Sequence, residues 1–460
     1  MVVANAKNRT PRATEPPIYT TPVPFDCDVL VIGGGPAGST AAAALARAGR
    51  HVILLERDQF PRFHIGESLL ASVNDVLDAI GAADLVRGAG FPRKWGATFI
   101  TAEGSVDRFA DFAISSEVPQ PQTWQVPRDT FDDLLLRHAA RCGADVRERT
   151  RVLDVDVDRD GVTVTCAGTG DAREPSMLRA QAVVDASGRV GILARKFELR
   201  VGEPDLANVA VFSHYANVPR AQGHRSGDIR VIARGDLGWF WMIPISDELM
   251  SVGAVLPRDA FKPMAQDSPE TLLPRLIADT PAVARLMINA ERRWPVRVER
   301  DFSYGARAYS GDRWIVVGDA GSFLDPVFST GVAIAMESGL EGARAIDAGW
   351  KRGDLSARAF RTFDRRQRGR YLSFRRFVRG FYTREFRDLF FSPEPPQTMF
   401  RSVVTVFAGY WQPSWMTRVW VWLFFLSVRL QARVHFAPSH VRPPRTQAMS
   451  TDVPQKTSVE

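Results

Sequence analysis

Apolar and polar positions divide the chain into stretches with different periods. Two unbroken apolar runs, in "CDVLVI" and "HVILLER", enclose an alanine-rich segment, and a glycine cluster follows the first run. Short continuous apolar runs bounded by glycine read as strands buried on both faces, so 26–57 reads as strand, turn, helix, strand: a βαβ unit. Residues 58–100 read as a loop and a short helix. Residues 124–145, "WQVPRDTFDDLLLRHAARCGAD", place Phe131, Leu134, Leu135 and His138 on one face at helical spacing after a Pro-Arg start. The stretch "RVLDVDVDRDGVTVTCAG" alternates with period two around Asp160-Gly161, which predicts a hairpin. Further short strands fill 205–257. "WIVVGDAG" (314–321) is another buried strand ending in a turn, and from about 331 the pattern is mostly helical. Residues 1–25 and 441–460 lack periodicity and read as a disordered extension and tail.

Two local patterns stand out. In "GWFWMIPIS", strand alternation aims Trp239 and Trp241 at the same face, where two stiff indoles build a wall. The apolar run "VWVWLFFLSV" (419–428) has arginines on both sides and is about half the ~20 residues a bilayer span needs. It reads either as a packed C-terminal helix or as a membrane-surface contact.

The chain has 460 residues, enough for two domains or one large composite. Cys27, Cys142 and Cys166 are odd in number and have no metal-ligand spacing, so neither a disulfide framework nor a metal site is expected. With no charged-then-apolar signal pattern at the N-terminus, a cytoplasmic location is expected. The net charge of +7 is concentrated between Arg344 and Arg387, where 14 Lys/Arg fall. That segment reads as a solvated helix face or as a dock for an acidic partner. No recognised nucleic-acid module accompanies it.

The chemistry begins at the glycine cluster. Gly33, Gly35 and Gly38 have G-x-G-x-x-G spacing, follow a strand, open a helix and lead to a second strand ending in Glu56 and Arg57. Gly33 permits the tight turn, Gly35 admits a pyrophosphate, and Gly38 lets helix and sheet pack closely. The helix N-terminus faces the phosphates, and Glu56 can accept from a ribose diol. The turn alone does not choose between NAD and FAD.

Two later stretches, "VVDASG" (183–188) and "VVGDAGSFLDP" (316–326), resemble motifs of the FAD monooxygenase superfamily. That resemblance implies FAD, with Asp319 near the ribityl-phosphate region and Arg128 of "VPRDTF" at a helix start beside the cofactor. Four more stretches narrow the resemblance to flavin-dependent halogenases, of the phenol and pyrrole branch. "WFWMIP" (239–244) is similar to that family's W-x-W-x-I-P. "FLDPVFSTG" (323–331) resembles its F-x-x-P-x-x-S-x-G. "FPRFHIGESLL" (60–70) resembles its flavin strap, although Ala71 replaces the usual proline. "GFPRKWGATF" (90–99) places Lys94 where the family keeps a catalytic lysine.

The resemblance implies an α/β fold: a Rossmann-like FAD-binding domain of the glutathione-reductase/aromatic-hydroxylase type, an inserted mixed β-sheet substrate domain, and a C-terminal helical region. The boundaries expected are 26–195 with 300–345 for the FAD domain, 196–299 for the sheet and 346–440 for the helices. It also implies an activity. Reduced flavin and O2 oxidise chloride or bromide to hypohalous acid, and Lys94 delivers it to an electron-rich aromatic, free or held on a carrier protein. Trp239 and Trp241 would separate flavin from substrate. Gly66, Glu67 and Ser68 would form the strap, and Thr330 and Gly331, with Ser329 a weaker candidate, would lie near flavin and halide. Where the tryptophan-halogenase branch resembles P-x-E-S, this chain has Phe328, so free tryptophan is not the expected substrate. No second nicotinamide-type glycine motif is present, which implies a separate flavin reductase as partner. Hydroxylases, epoxidases and alkene reductases of the same fold remain alternatives, as does a flavin-binding regulator or membrane-associated protein without turnover.

Overall fold

The computed structural model describes residues 24–169, 174–392 and 395–439. The expected disordered extension and tail fall almost wholly outside these residues. The first sheet is built on β1 (Cys27–Ile32) and β2 (Val52–Leu55), joined by helix α1 (Pro36–Arg47). Both strands are buried on two faces, which is why they read as unbroken apolar runs. Ser176–Asp185 pairs parallel with β1, Trp314–Val316 pairs parallel with Ser176–Asp185, and Asp145–Arg147 pairs parallel with β2. Ile32 lies opposite both Leu55 and Asp185, and Asp185 lies opposite Val316. The carboxyl ends therefore form one edge, which in an open α/β sheet is where ligands bind. The expected hairpin is present: Thr150–Val157 pairs antiparallel with Val162–Gly168, and the Asp158 carboxylate accepts from the Asp160 and Gly161 N–H groups.

The second sheet runs Glu291–Arg292, Arg200–Ala216, Met250–Pro257, Trp239–Pro244, Ile229–Ala233, Gly96–Ile100, Asp107–Asp111, with Arg297–Ala306 paired to Arg200–Ala216. It thus takes strands from outside 196–299. Gly96–Ile100 joins by parallel pairing with Ile229–Ala233. This has a consequence in 58–100, where loop and helix were expected: after helices Val73–Ile80 and Ala83–Gly88 the chain forms strands Arg93–Lys94 and Gly96–Ile100. The expected helix over 124–145 is shorter, Arg128–Arg141, because Trp124 pairs with Arg93. Its His138 is buried and lies 2.8 Å from the Ile80 carbonyl.

From Thr330 the chain is helical, beginning with Thr330–Lys351 and Arg361–Phe381. The basic segment is not simply a solvated face. Arg370 is buried between Glu337 and Glu341, at 3.0 and 2.9 Å, and Arg375 pairs with Glu203 at 2.6 Å. Arg387 is also buried and donates to the carbonyls of Phe381, Arg234 and Leu237, tying the helices to the turn before Trp239. Burial pushes its guanidinium down to about 10. Most of the 14 basic side chains are exposed, as a solvated face would have them, while Arg370 and Arg375 are held by acids on Thr330–Lys351 and Arg200–Ala216. The three cysteines are unpaired. No helix among the described residues is long and apolar enough to cross a membrane.

Candidate active site

The aligned carboxyl ends of the parallel strands open onto a cavity of about 910 Å³. Gly33 (φ +100°) follows β1, and a Cβ there would strike the Ala186 carbonyl; a Cβ at Gly38 would strike the Gly33 carbonyl. Gly35 differs, since a Cβ there would meet only an Arg62 nitrogen at 3.5 Å. Two glycines thus close the turn against protein, and the third faces the cavity at the N-terminus of α1. The cradle fits a pyrophosphate. Glu56, at the end of β2, is buried and accepts from the N–H groups of Gly34 (2.6 Å) and Asp58 (2.8 Å), which fixes its carboxylate at the cavity wall beside Arg57.

Gly35→Val should therefore fold normally and lose most of its FAD affinity, whereas Gly38→Ala should lower the melting temperature. Flavin titration and thermal melts separate the two. Full FAD affinity in Gly35→Val would remove the turn from the cofactor site.

The cavity is also lined by Asp319 and Gly331. Burial raises the Asp319 carboxyl to about 6, and the positive charges of Arg128, Arg189 and Arg200 limit the rise. Gly331 is the second residue of the Thr330–Lys351 helix, and a Cβ there would meet nothing within 4 Å. Ser329 holds φ +57° just before it. The buried Thr330 hydroxyl has no hydrogen-bond partner among the described residues.

The strap crosses the cavity and is pinned at several points. Arg128 donates to the Ile65 carbonyl at 2.9 Å and to the Gly66 carbonyl at 3.2 Å, while its other nitrogens grip Asp132 at 2.8 and 2.9 Å. Burial opposes charge on Asp132, but Arg128 and Arg62 outweigh it and hold the carboxyl below its usual range. Backbone bonds join Glu67 to Val126 and Leu69 to Trp124. Glu67 is buried, with one oxygen 3.0 Å from the His214 ring and the other without a partner among the described residues, at the cavity wall. His214 carried no signal in the sequence beyond lying on an alternating strand.

Lys94 lies behind the strap and is only 1% exposed. Its amine donates to Ser68 Oγ at 2.8 Å and to the Leu69 carbonyl at 2.7 Å. Burial lowers its pKa to about 7, against an opposing pull from Asp228. Asp228 accepts from the N–H groups of Trp95 (2.7 Å) and Gly96 (2.9 Å), so it fixes the chain immediately after Lys94; sequence reading missed it. Lys94 lines a small chamber of about 10 Å³ with Leu70, Phe99, Phe112, Phe328 and Phe407. Ile229 and Ser329 line both this chamber and the large cavity. Phe328 stacks on Phe407, with centroids 4.2 Å apart.

Trp239 and Trp241 are buried, share a face with centroids 6.0 Å apart, and line the large cavity. Gly253 on the next strand leaves room for the Trp241 ring. Trp239 Nε1 donates to the Tyr382 hydroxyl (2.8 Å), which donates to Asp325 (2.7 Å), an acceptor also for Asn208 (2.7 Å). The Trp239 indole is thus tied to the end of the Arg361–Phe381 helix, while Trp241 Nε1 donates to Ser251 Oγ at 3.1 Å on the neighbouring strand.

A family model described as an FAD binding domain matches residues 26–351. The chain is 36% identical to flavin-dependent halogenase gsfI of Penicillium aethiopicum over 71% of its own length and 65% of that protein. It is 36% identical to the 1H-pyrrole-2-carbonyl-[peptidyl-carrier protein] brominase of Pseudoalteromonas luteoviolacea, over 69% of this chain and 77% of the brominase. The chain belongs to the flavin-dependent halogenase family. It is also 33% identical to a tryptophan 2-halogenase of Chondromyces crocatus, over 78% of this chain and 68% of that one. Among solved structures, flavin-dependent brominase Bmp2 superposes with a TM-score of 0.76 at 30% identity, covering 88% of this chain and 100% of Bmp2. The chain spans just under two thirds of the length of gsfI. FAD is the cofactor of this family's fold, and the glycine cradle, Glu56, Asp319 and the unpartnered Glu67 oxygen suit it.

Proposed function

We propose that this protein is an FADH2-dependent halogenase acting on an electron-rich aromatic, phenolic or pyrrolic, either free or carried on a carrier protein. In this reading 26–195 and 300–345 hold the cofactor, 196–299 is the core of the substrate-side sheet, and 346–440 closes the substrate side. Reduced FAD supplied by a separate reductase would provide O2 activation and oxidation of chloride or bromide to hypohalous acid. The observation that carries the proposal is Lys94: a buried amine with a pKa near 7, in an apolar chamber that shares Ile229 and Ser329 with the cofactor cavity.

Each residue then has a task. Gly33, Gly35, Gly38, Glu56, Arg57, Arg128 and Asp319 hold the cofactor. Gly66, Glu67 and Ser68 form the strap, and Thr330 and Gly331 offer a hydroxyl and helix N-terminal N–H groups to the halide side. Trp239 and Trp241 keep the substrate ring away from the flavin. Phe99, Phe112, Phe328 and Phe407 exclude water, which protects hypohalous acid on its way to Lys94. Desolvation leaves much of the Lys94 amine neutral and nucleophilic near pH 7.

Incubation with FADH2, O2, bromide and a panel of phenols and pyrroles should yield products in which bromine replaces a ring hydrogen, detected by mass and isotope pattern. Products carrying added oxygen and no bromine would place the chain with the hydroxylases instead.

A further inference from the structure

The helix Trp415–Val434 has two apolar faces. One is buried: Phe425 lies 4.9 Å from Phe377, and Phe424 lies 5.1 Å from Phe386, all centroid to centroid. This face backs the phenylalanine cluster around the Lys94 chamber, since Phe377 also meets Phe407 at 5.4 Å. The other face exposes Trp415 (68%), Val419, Trp422 (55%), Leu430 and Val434, with Leu426 partly buried in the gap. Positions 415, 419, 422, 426, 430 and 434 follow the period of 3.6 and form one stripe. Twenty residues make it about 30 Å long. An exposed apolar stripe of that length marks an interaction surface rather than scattered surface residues.

Arg418, Arg429 and Arg433 are exposed along one edge of this stripe. Among the described residues none of the three takes part in an ion pair, and the helix contains no Asp or Glu.

We propose that this face seats the protein on the surface of an anionic lipid bilayer. Tryptophan favours the boundary where one side of the ring is apolar and the other wet, and two of them, Trp415 and Trp422, lie exposed on this stripe. The arginine edge supplies positive charge for lipid phosphates while the side-chain stems lie along the apolar surface. The helix is not apolar enough to cross, so it lies in the plane of the interface. A second copy of the chain is a poorer occupant, because a two-fold pairing of this face offers the arginines no acid. Residues 440–460, "HVRPPRTQAMSTDVPQKTSVE", contain no Phe, Trp, Tyr, Leu or Ile with which to cover the stripe.

The test uses the full FAD-loaded protein with vesicles of phosphatidylcholine alone or mixed with phosphatidylglycerol. It should sediment with the mixed vesicles and much less with phosphatidylcholine, salt should release it, and brominated lipid should quench its tryptophan emission. Neutralising the edge by Arg418→Gln, Arg429→Gln and Arg433→Gln should weaken binding by about 10²-fold, the combined effect of three near-surface arginines. Val419→Glu with Trp422→Glu should abolish binding and leave FAD affinity unchanged. The quenching arm needs no variant, so the proposal stays testable if the double variant misfolds. It is overturned if the wild-type chain ignores anionic vesicles, or if it binds both vesicle types alike. It is equally overturned if the chain runs as a dimer that Trp422→Glu splits, or is retained by an acidic carrier protein through this face in place of vesicles.

Discussion

Replacing Lys94 by Met should cut halogenation by 10²-fold or more, up to the ~10⁴-fold scale of losing a positioned proton-transfer or nucleophilic group, while FADH2 oxidation continues and releases hydrogen peroxide. Met keeps the volume of a side chain that is 1% exposed, so the chamber should keep its shape. What goes is the amine that bonds Ser68 Oγ and the Leu69 carbonyl. The flavin side does not depend on it, because the large cavity is lined by other residues. The pH profile gives a second readout. Burial brings the amine to about 7, so the neutral form grows as pH rises through that value. Halogenation by a nucleophilic amine should rise across pH 6–8, while oxidation of FADH2 should not follow the same curve. A profile that instead falls through 7 would mean that the ammonium form works, donating a hydrogen bond. Near wild-type halogenation by Lys94→Met would remove the lysine from the mechanism, and loss of FADH2 oxidation would make its role structural.

The cofactor side of this site is legible in the sequence because its signals are local. Gly33, Gly35 and Gly38 must lie between one strand and one helix, and Glu56 must end the next strand. "VVDASG" and "WIVVGDAG" announce themselves as buried strands ending in small residues, and the parallel register then sets all three edges side by side. The resemblance pointed to Lys94, but nothing nearby in the chain said that it would lie on a two-residue strand against Thr123–Trp124. That position depends on Gly96–Ile100 pairing with Ile229–Ala233, some 130 residues away. The Glu67–His214 contact, the grip of Asp228 on Trp95 and Gly96, and the Trp239–Tyr382–Asp325 chain are likewise long-range. The arginines of 344–387 are legible only in part for the same reason: most are exposed, as a solvated face predicts. Their charge is plain in the sequence, but Glu203 and Asp205, which neutralise two of them, lie in a distant strand.

Substrate preference should follow ring electron density steeply. In a series of phenols of graded donor strength, turnover should climb with the donor, and halogen should enter ortho or para to it. The reason lies in what surrounds Lys94. The chamber is walled by Leu70, Ala97, Phe99, Phe112, Ile229, Val231, Val327, Phe328, Ser329 and Phe407, and none of these is a carboxylate. Electrophilic attack on an unactivated ring carbon leaves a cation that needs a nearby anion and a base. Where the tryptophan branch resembles P-x-E-S, Phe328 supplies only an apolar ring stacked on Phe407. The acid behind the lysine, Asp228, accepts two backbone N–H groups through one oxygen and leaves the other without a partner among the described residues, but it does not line the chamber. A phenol or pyrrole stabilises the cation with its own heteroatom lone pair and needs only a base for the departing proton, a task the neutral Lys94 amine can fill. The chamber of about 10 Å³ holds no aromatic ring, so a substrate must part the Phe328–Phe407 stack, and an apolar ring best repays the lost contact. Tryptophan is the sharpest comparison, given the relative named tryptophan 2-halogenase. Its benzenoid carbons lack the donor this chamber requires and should remain unhalogenated beside a reactive phenol, whereas its pyrrole-ring carbons are activated by the indole nitrogen and fall with the pyrroles. Efficient halogenation of tryptophan at a single benzenoid carbon would defeat this reading, and would require a carboxylate to reach the chamber from elsewhere.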